Sequence, residues 1–170
     1  MNKKLTIIIG TAFSLAVIST VISSCGSTQM KGAGNYSYET ECMGIEGDGS
    51  QTLKAWGNGR NREDAVEQAK KNGVRDVLFK GIRNGKTECN VKPVLFDVNI
   101  REKKEAYFNA FFADQGPYKE FITGEDGSDM HFSVVQGRKK AGDQETYGVI
   151  IRVQRAKLQE RMIQDQIMVK

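Results

Sequence analysis

The chain has 170 residues and a formal net charge of +4 at pH 7. One domain is the expected number at this length, and 39% hydrophobic with 27% charged residues is ordinary for a globular protein. Three cysteines are too few for a disulfide-rich mini-scaffold. A single histidine, His131, excludes most His-based metal sites, so we expect neither a metal nor another cofactor.

The first 24 residues have the pattern of a secretory signal. Two lysines at positions 3–4 are followed by an uncharged, mostly apolar run over residues 5–22 and by two serines before Cys25. A basic start, an apolar stretch and small residues before a cleavage point are typical of an exported chain. The apolar run is also about as long as a short membrane helix, so a retained anchor is the alternative.

The residues before Cys25 favour cleavage over a retained anchor. Val-Ile-Ser-Ser-Cys at positions 21–25 resembles a bacterial lipobox, with an apolar residue upstream and small residues directly before the cysteine. The resemblance implies that a diacylglycerol is transferred to the Cys25 thiol, that the chain is cleaved before it, and that the new amine is acylated. Two or more acyl chains anchor a protein stably without a spanning helix.

The residues after Cys25 predict where the anchored protein resides. Positions 26–29 contain no aspartate, which by resemblance to Gram-negative lipoproteins implies the outer membrane, and no acidic cluster follows, which favours its periplasmic face. Residues 26–37 are polar and glycine-rich and predict a flexible tether. We therefore divide the chain into a signal peptide (1–24), a tether (25–37) and one folded domain (38–170). Without the signal, 23 basic residues face 21 acidic ones, too small an excess to predict a nucleic-acid partner.

The first part of the domain predicts a strand followed by a long helix. Apolar and polar residues alternate over positions 52–57. Asn61 is a suitable N-cap, with Asp64 three residues later, for a helix over 62–80 that ends before Gly81. One face of this helix carries mainly small residues, which favours close packing on a sheet: Ala65, Ala69, Gly73 and Val77.

The rest of the domain predicts further helices and a hairpin. Asn84-Gly85 predicts a turn, and residues 94–96 a short strand. A helix over 101–113 would place an aromatic stripe in the core, continued by residues 118–122. Strands over 131–136 and 146–154 flank a glycine-rich turn, as in an antiparallel hairpin, and a last helix covers 155–169. The expected fold class is α+β, with helices packed on one small, mainly antiparallel sheet.

Several of these features together resemble a known family. Trp-Gly-Asn-Gly (56–59) ends the first strand, an Ala-x-x-x-Ala helix follows with Lys-Asn-Gly at 71–73, and the strand 147–153 leads into a helix containing Leu158. They are similar to the small exported αβ module of the flagellar assembly protein T N-terminal domain and of the 20-kDa membrane-associated lipoproteins. The resemblance covers about residues 50–80 and 130–160. It implies a helix over a small sheet and a structural or assembly role in the envelope, with no reaction.

Two cysteines, Cys42 and Cys89, remain once Cys25 is lipidated. In an oxidising periplasm such a pair suggests a disulfide, and closing a loop of about 48 residues contributes about 4 kcal/mol in the chain-entropy model. Two free thiols are the alternative, because the sequence does not show whether the two Cα atoms come within reach. Neither cysteine has a histidine nearby in the sequence, which disfavours a catalytic thiol.

The remaining candidate sites have ordinary structural explanations. The glycines at 57 and 59 match part of a dinucleotide-binding turn, but tight backbone packing is favoured. Acidic residues at 125, 126, 129 and 143 do not follow calcium-loop spacing, so a solvated loop is favoured. A basic hairpin tip is a candidate for partner contact, although such charges are usually only solvated: Arg138, Lys139 and Lys140. The lone histidine is more often a structural residue than a general base.

The functional prediction is a lipid-anchored, non-catalytic envelope protein that acts through protein–protein contacts. No nucleophile, base and orienting group can be assembled from the motifs, which disfavours an enzyme. The alternative is a module that binds a glycan or a peptidoglycan fragment, with Trp56 or the tyrosines as stacking platforms. A glycan binder requires an exposed aromatic row, an enzyme requires a pocket with shifted pKa values, and an assembly protein requires an exposed apolar patch or a free sheet edge.

Overall fold

A computed structural model describes residues 38–89, 92–124, 126–127, 132–136 and 144–169. None of the helices in these ranges is long and apolar enough to span a bilayer. Several residues singled out in the sequence lie outside the described residues: Cys25, Glu125, Asp129, His131, Arg138, Lys139, Lys140 and Asp143.

The described residues form one six-stranded sheet with the order β3-β1-β2-β6-β4, in which β5 also pairs with β6. Its strands are β1 (Glu41–Ile45), β2 (Gln51–Gly59), β3 (Asn84–Gly85), β4 (Ile122–Thr123), β5 (Ser133–Gln136) and β6 (Glu145–Val153). Every pairing is antiparallel except that of β1 with β3. Together with the helices, this confirms the predicted α+β class with a mainly antiparallel sheet.

The helices are α1 (Arg62–Arg75), α2 (Ile100–Lys103), α3 (Glu105–Phe111) and α4 (Arg155–Gln164). As predicted, the Asn61 side chain caps α1 and accepts a hydrogen bond of 2.8 Å from the backbone N–H of Asp64. The helix continues into a π-helical turn, Asp76–Lys80, and stops at Gly81, where φ is +76°. The end predicted near residue 80 is therefore confirmed, although its last turn is wider than an α-helix.

Helix α1 packs across the two central strands, β2 and β6. Alternate side chains of these strands point toward it and are fully buried: Leu53, Ala55, Val149 and Ile151. The small-residue face of α1 allows this close approach, because its Ala65, Ala69 and Gly73 leave little between helix and sheet. The rest of the core is aromatic, as predicted, and includes Phe108, Phe111, Phe112, Tyr118 and Phe121.

Residues 84–85 and 94–96 differ from their predicted structures. Asn84-Gly85 is not an isolated turn but the short strand β3, parallel to Glu41–Cys42. Gly85 has a φ of +89° and lies against the backbone of Cys42, where a side chain would not fit. Residues 94–96 do not form a strand, because two of their backbone N–H groups donate to carbonyls of Val77 and Leu78 at the end of the helical segment.

The later helices are shorter than predicted. The helix expected over 101–113 is two helices, interrupted at Lys104, where the backbone has φ −119° and ψ 35°. Helix α4 ends at Gln164 rather than near residue 169, because Gln166 adopts a left-handed conformation with φ +56°. The chain then folds back, and the N–H of Ile167 donates to the carbonyl of Met162. Strand β1 was not predicted at all.

Candidate functional site

Cys42 on β1 and Cys89 form a disulfide, with their Cα atoms 5.5 Å apart. Both cysteines are buried. Cys89 ends a 3₁₀ helix, Thr87–Cys89, that contacts β1. The predicted pairing is confirmed. The disulfide links β1, the first strand of the domain, to the 3₁₀ helix.

A cleft of about 370 Å³ opens between the beginning of β1 and the C-terminal half of α1. It is lined by aromatic and charged side chains, among them Tyr38, Trp56, Arg75, Asp76, Lys80 and Arg101. Its volume lies at the lower end of the range for small-ligand pockets. Of these residues, only Trp56 and, among the tyrosines, Tyr38 were predicted from the sequence as stacking candidates.

Trp56, one wall of the cleft, already has neighbours around its ring. The Tyr38 ring centroid lies 4.6 Å away, and the Lys54 Nζ lies 4.8 Å from the ring centroid. On the paired strand, the missing side chain of Gly148 makes room for the indole. Only part of the ring therefore faces the cleft, rather than a fully exposed surface for a sugar to stack on, and the described tyrosines are likewise buried or half-buried.

The two carboxylates of the cleft bond to neutral donors. Asp76 accepts a hydrogen bond of 2.5 Å from the Thr40 hydroxyl, and Glu39 accepts one from the side-chain amide of Asn84. Among the described residues, no carboxylate lies within ion-pair distance of Arg75, Lys80 or Arg101. The cations of the cleft therefore have no counter-ion within the described part of the chain.

Arg75 is the most constrained of these cations. Its guanidinium lies over the Phe112 ring, with 4.8 Å between Cζ and the ring centroid. Its Nε is buried and has no acceptor among the described residues. Burial lowers the pKa of Arg75, and the neighbouring charge of Arg101 lowers it further. Because arginine stays protonated in proteins, two like charges face the same cleft.

A second exposed feature is the Phe96–Val98 loop, residues 96–98, next to α2. Phe96 is 64% exposed and Val98 is 76% exposed. The loop is held at both ends, since Leu95 bonds to the carbonyl of Leu78 and Asp97 accepts two hydrogen bonds, of 3.0 and 3.1 Å, from Lys103. Two large apolar side chains are thus presented to solvent on a fixed turn.

Two tyrosines whose pKa values are strongly raised make hydrogen bonds within the fold and do not line the cleft. Tyr107 donates a 2.6 Å hydrogen bond to Asp165, and Tyr118 donates one to Glu67. Burial raises the pKa of both hydroxyls, and the neighbouring carboxylates raise it further. Both hydroxyls therefore stay protonated as donors and are poorly suited to exchanging protons with a substrate.

The two glycines of the candidate dinucleotide-binding turn have a packing role. Gly57 faces the backbone of Ala65 and Ala69, and Gly59 faces that of Ala65, so both glycines serve tight packing of strand on helix. Of the acidic residues near the hairpin, only Asp126 is described. Within the described ranges, no three His, Cys, Asp or Glu side chains come close enough to hold a metal ion.

Sequence reasoning missed the arginines of the cleft and the exposed loop. Arg75 and Arg101 are 26 positions apart, and no local pattern indicates that they meet. Phe96 and Val98 could have been noticed as apolar residues on either side of Asp97 in a short connection, which is unusual for a purely solvated turn. No protein-family model, curated protein or solved structure matches this chain. The family resemblance therefore stays a prediction.

Proposed function

We propose that the chain is a lipid-anchored, non-catalytic protein of the bacterial envelope that acts by contacting a protein partner. The observation that supports the contact is the Phe96–Val98 loop. Exposed apolar side chains on an ordered surface are typical of interaction sites, and aromatic anchors contribute most to binding when a partner desolvates them. The Lys103–Asp97 ion pair connects the loop to α2.

The anchor rests on the lipobox at residues 21–25. The twelve residues from 26 to 37 would connect the lipid to the domain, and a fully extended chain of that length reaches roughly 40 Å. A partner of the loop would accordingly be a protein at or near the membrane surface. We place the anchor in the outer membrane, facing the periplasm, from the residues that follow Cys25.

A non-catalytic role is supported by how the titratable groups are used. The most perturbed groups, Tyr107 and Tyr118, bond to carboxylates inside the fold. The acids of the cleft bond to neutral donors, and its cations are arginines and a lysine. The glycan alternative has less support, because neighbouring groups cover much of the Trp56 ring.

Photo-crosslinking in intact cells tests the contact. A photoreactive amino acid at position 98 should give a discrete adduct with one envelope protein, and Phe96→Ser should reduce that adduct at least about tenfold while leaving stability within about 0.5 kcal/mol. The matched control places the same photoreactive amino acid at position 60. Arg60 is exposed and lies just before the N-terminal end of α1. Identical adducts from both positions, or an adduct indifferent to Phe96→Ser, would contradict the proposal.

Mass spectrometry of the membrane fraction tests the anchor separately. The expected mature chain begins at Cys25 and carries the mass of a diacylglycerol and a third acyl chain. Cys25→Ser should block this processing and leave the signal attached. An intact signal on the wild-type chain, or an unmodified Cys25 thiol, would contradict the lipid anchor. The proposed protein contact would still be tested by the crosslinking experiment.

A further inference from the structure

We propose that the cleft beside Trp56 binds the carboxylate or phosphate group of a small ligand through Arg75 and Arg101. The site is made where the C-terminal half of α1 meets α2, so its two arginines come from distant parts of the sequence. This inference does not depend on the lipid anchor or on the Phe96–Val98 loop.

The first argument is the environment of Arg75. Its guanidinium is half-buried, lies on the Phe112 ring and has no carboxylate within ion-pair distance among the described residues. Withdrawing a charge from water without a partner is unfavourable. The cation–π contact recovers only part of that cost. An anion in the cleft would supply the missing counter-charge.

The second argument is that Arg101 shares the same cleft. Its charge acts on Arg75 closely enough to lower the pKa of that residue, so the two guanidinium groups repel each other in the free protein. A single anion between them would replace this repulsion with two attractions. Two arginines around one anion also supply more donors than one lysine, in a planar arrangement that suits carboxylate and phosphate oxygens.

The third argument is that the acids of the cleft do not neutralise these cations. Asp76 bonds to Thr40 and Glu39 bonds to Asn84, which are both uncharged partners. Glu39 lies just before β1, and Asp76 directly follows Arg75 at the start of the π-helical turn, so both carboxylates line the same cleft as the arginines. The acids therefore limit the ligand to one anionic group directed at the arginines, rather than a polyanion that fills the cleft.

The walls of the cleft indicate what else the ligand carries. Tyr38, Trp56 and Phe79 line it together with the charged groups, so a ligand with an apolar or ring-shaped body beside its anionic group fits better than a bare ion. A volume of about 370 Å³ limits that body to a small molecule. The ligand class is thus a small, partly apolar carboxylate or phosphate monoester.

The chain contains its own reporter for this site, because Trp56 is its only tryptophan. We would titrate the full-length chain, purified in a non-ionic detergent, with benzoate and with phenyl phosphate while following Trp56 fluorescence at constant ionic strength. Benzamide, which has the same ring without the charge, is the matched probe. We expect saturable binding of at least one anionic probe and at least about tenfold weaker binding of benzamide, as for a lost charge-assisted bond.

Variants assign the binding to the arginines. Arg75→Gln and Arg101→Gln should each weaken binding of the anionic probe at least about tenfold. Because Arg101 is exposed, its substitution should disturb folding less than that of Arg75. Arg60→Gln removes an equal charge at the far end of α1 and should leave binding unchanged. Saturation by benzoate alone assigns a carboxylate ligand, and saturation by phenyl phosphate alone assigns a phosphate ligand. Saturation by neither, or equal binding by the Arg101→Gln variant, overturns the proposal.

Discussion

Gly73 of α1 lies so close to Ile151 of β6 that a β-carbon at position 73 would stand 2.6 Å from the Ile151 Cδ1. The same atom would lie 3.2 Å from the Ala55 Cβ on β2. A glycine inside a helix costs about 1 kcal/mol relative to alanine. Here that cost is offset by the close approach of the helix to the two central strands of the sheet.

Replacing the packing glycines should destabilise the fold unequally. Gly57→Ala should cost about 3 kcal/mol or more, because its new side chain would meet the backbone of α1 at Ala65 and Ala69, which cannot move without shifting the helix. Gly73→Ala should cost about 1 kcal/mol, since its main obstacle is the terminal methyl of Ile151 and alanine favours the helix. Urea unfolding midpoints provide the measurement.

The control for this series is Gly47, which lies in the exposed connection between β1 and β2 with no atom within 4 Å of an added Cβ. Gly47→Ala should change the unfolding free energy by less than about 0.5 kcal/mol. A larger loss at position 47 than at position 57 would contradict the packing role assigned to Gly57.

Removing the buried disulfide should cause a large loss of stability. The Cys42→Ser/Cys89→Ser double variant should lose about 4 kcal/mol, from the entropy of a loop whose ends are 47 positions apart. Urea unfolding with and without a reductant measures this loss in the wild-type chain. Cys25→Ser is the control, because position 25 lies outside the loop.

Thiol counting gives an independent check of the same bond. The denatured, unreduced chain should show neither Cys42 nor Cys89 as a free thiol, and both should appear after reduction. Two reactive thiols before reduction, besides any at Cys25, would show that the pair is not bonded in the isolated protein.

Tyr107 and Asp165 should contribute stability that depends on pH. The hydrogen bond from Tyr107 and the ion pair with Arg161 hold the pKa of Asp165 below its ordinary value, although burial opposes them. An acid with a lower pKa in the folded state stabilises the protein above its unfolded pKa of about 3.9, and this contribution is lost as the pH falls through the folded pKa. Tyr107→Phe should therefore cost about 1 kcal/mol at neutral pH.

Below about pH 4 the cost of Tyr107→Phe should shrink, because the protonated Asp165 gains less from the hydroxyl. Urea unfolding of both chains across this range makes the comparison. Tyr147→Phe is the matched control, since its hydroxyl has no hydrogen-bond partner among the described residues. A cost for Tyr107→Phe that is constant with pH would indicate lost packing instead of a charge-dependent bond.

The N-cap of α1 should account for a measurable part of the stability of that helix. Asn61→Ala removes the 2.8 Å bond to the N–H of Asp64 and should cost about 1 kcal/mol. Asn61→Asp keeps an acceptor at the same place and should stay within about 0.5 kcal/mol of the wild-type chain. Thermal unfolding of the three proteins tests this order, and an equal loss in both variants would argue against a capping role.

Local signals in the sequence were sufficient to predict the elements whose caps and residue spacing lie within their own stretch of sequence. The cap at Asn61, the stop at Gly81 and the spacing of Ala65, Ala69 and Gly73 predicted the start of α1 and the end of the π-helical turn that follows it. The alternation in β2 and β6 predicted both strands. In each case a short stretch carries the whole pattern, and the tertiary structure agrees with it.

Elements that depend on distant partners were not predictable in the same way. Strand β1 is only five residues long and has an irregular register, and β3 exists only because Gly85 fits against the backbone of Cys42. Residues 94–96 look like a strand but bond to the end of the long helix. The candidate cleft has the same origin, because Arg75 and Arg101 are brought together by packing and not by spacing.

The bond between Cys42 and Cys89 has a further consequence for the covalent integrity of the protein. All of β2 and α1 lies between the two cysteines, so one hydrolysed peptide bond anywhere from residue 43 to residue 88 leaves both fragments joined. A molecule nicked by a protease in this ring would migrate as a single intact species on a gel until a thiol reagent separates its pieces.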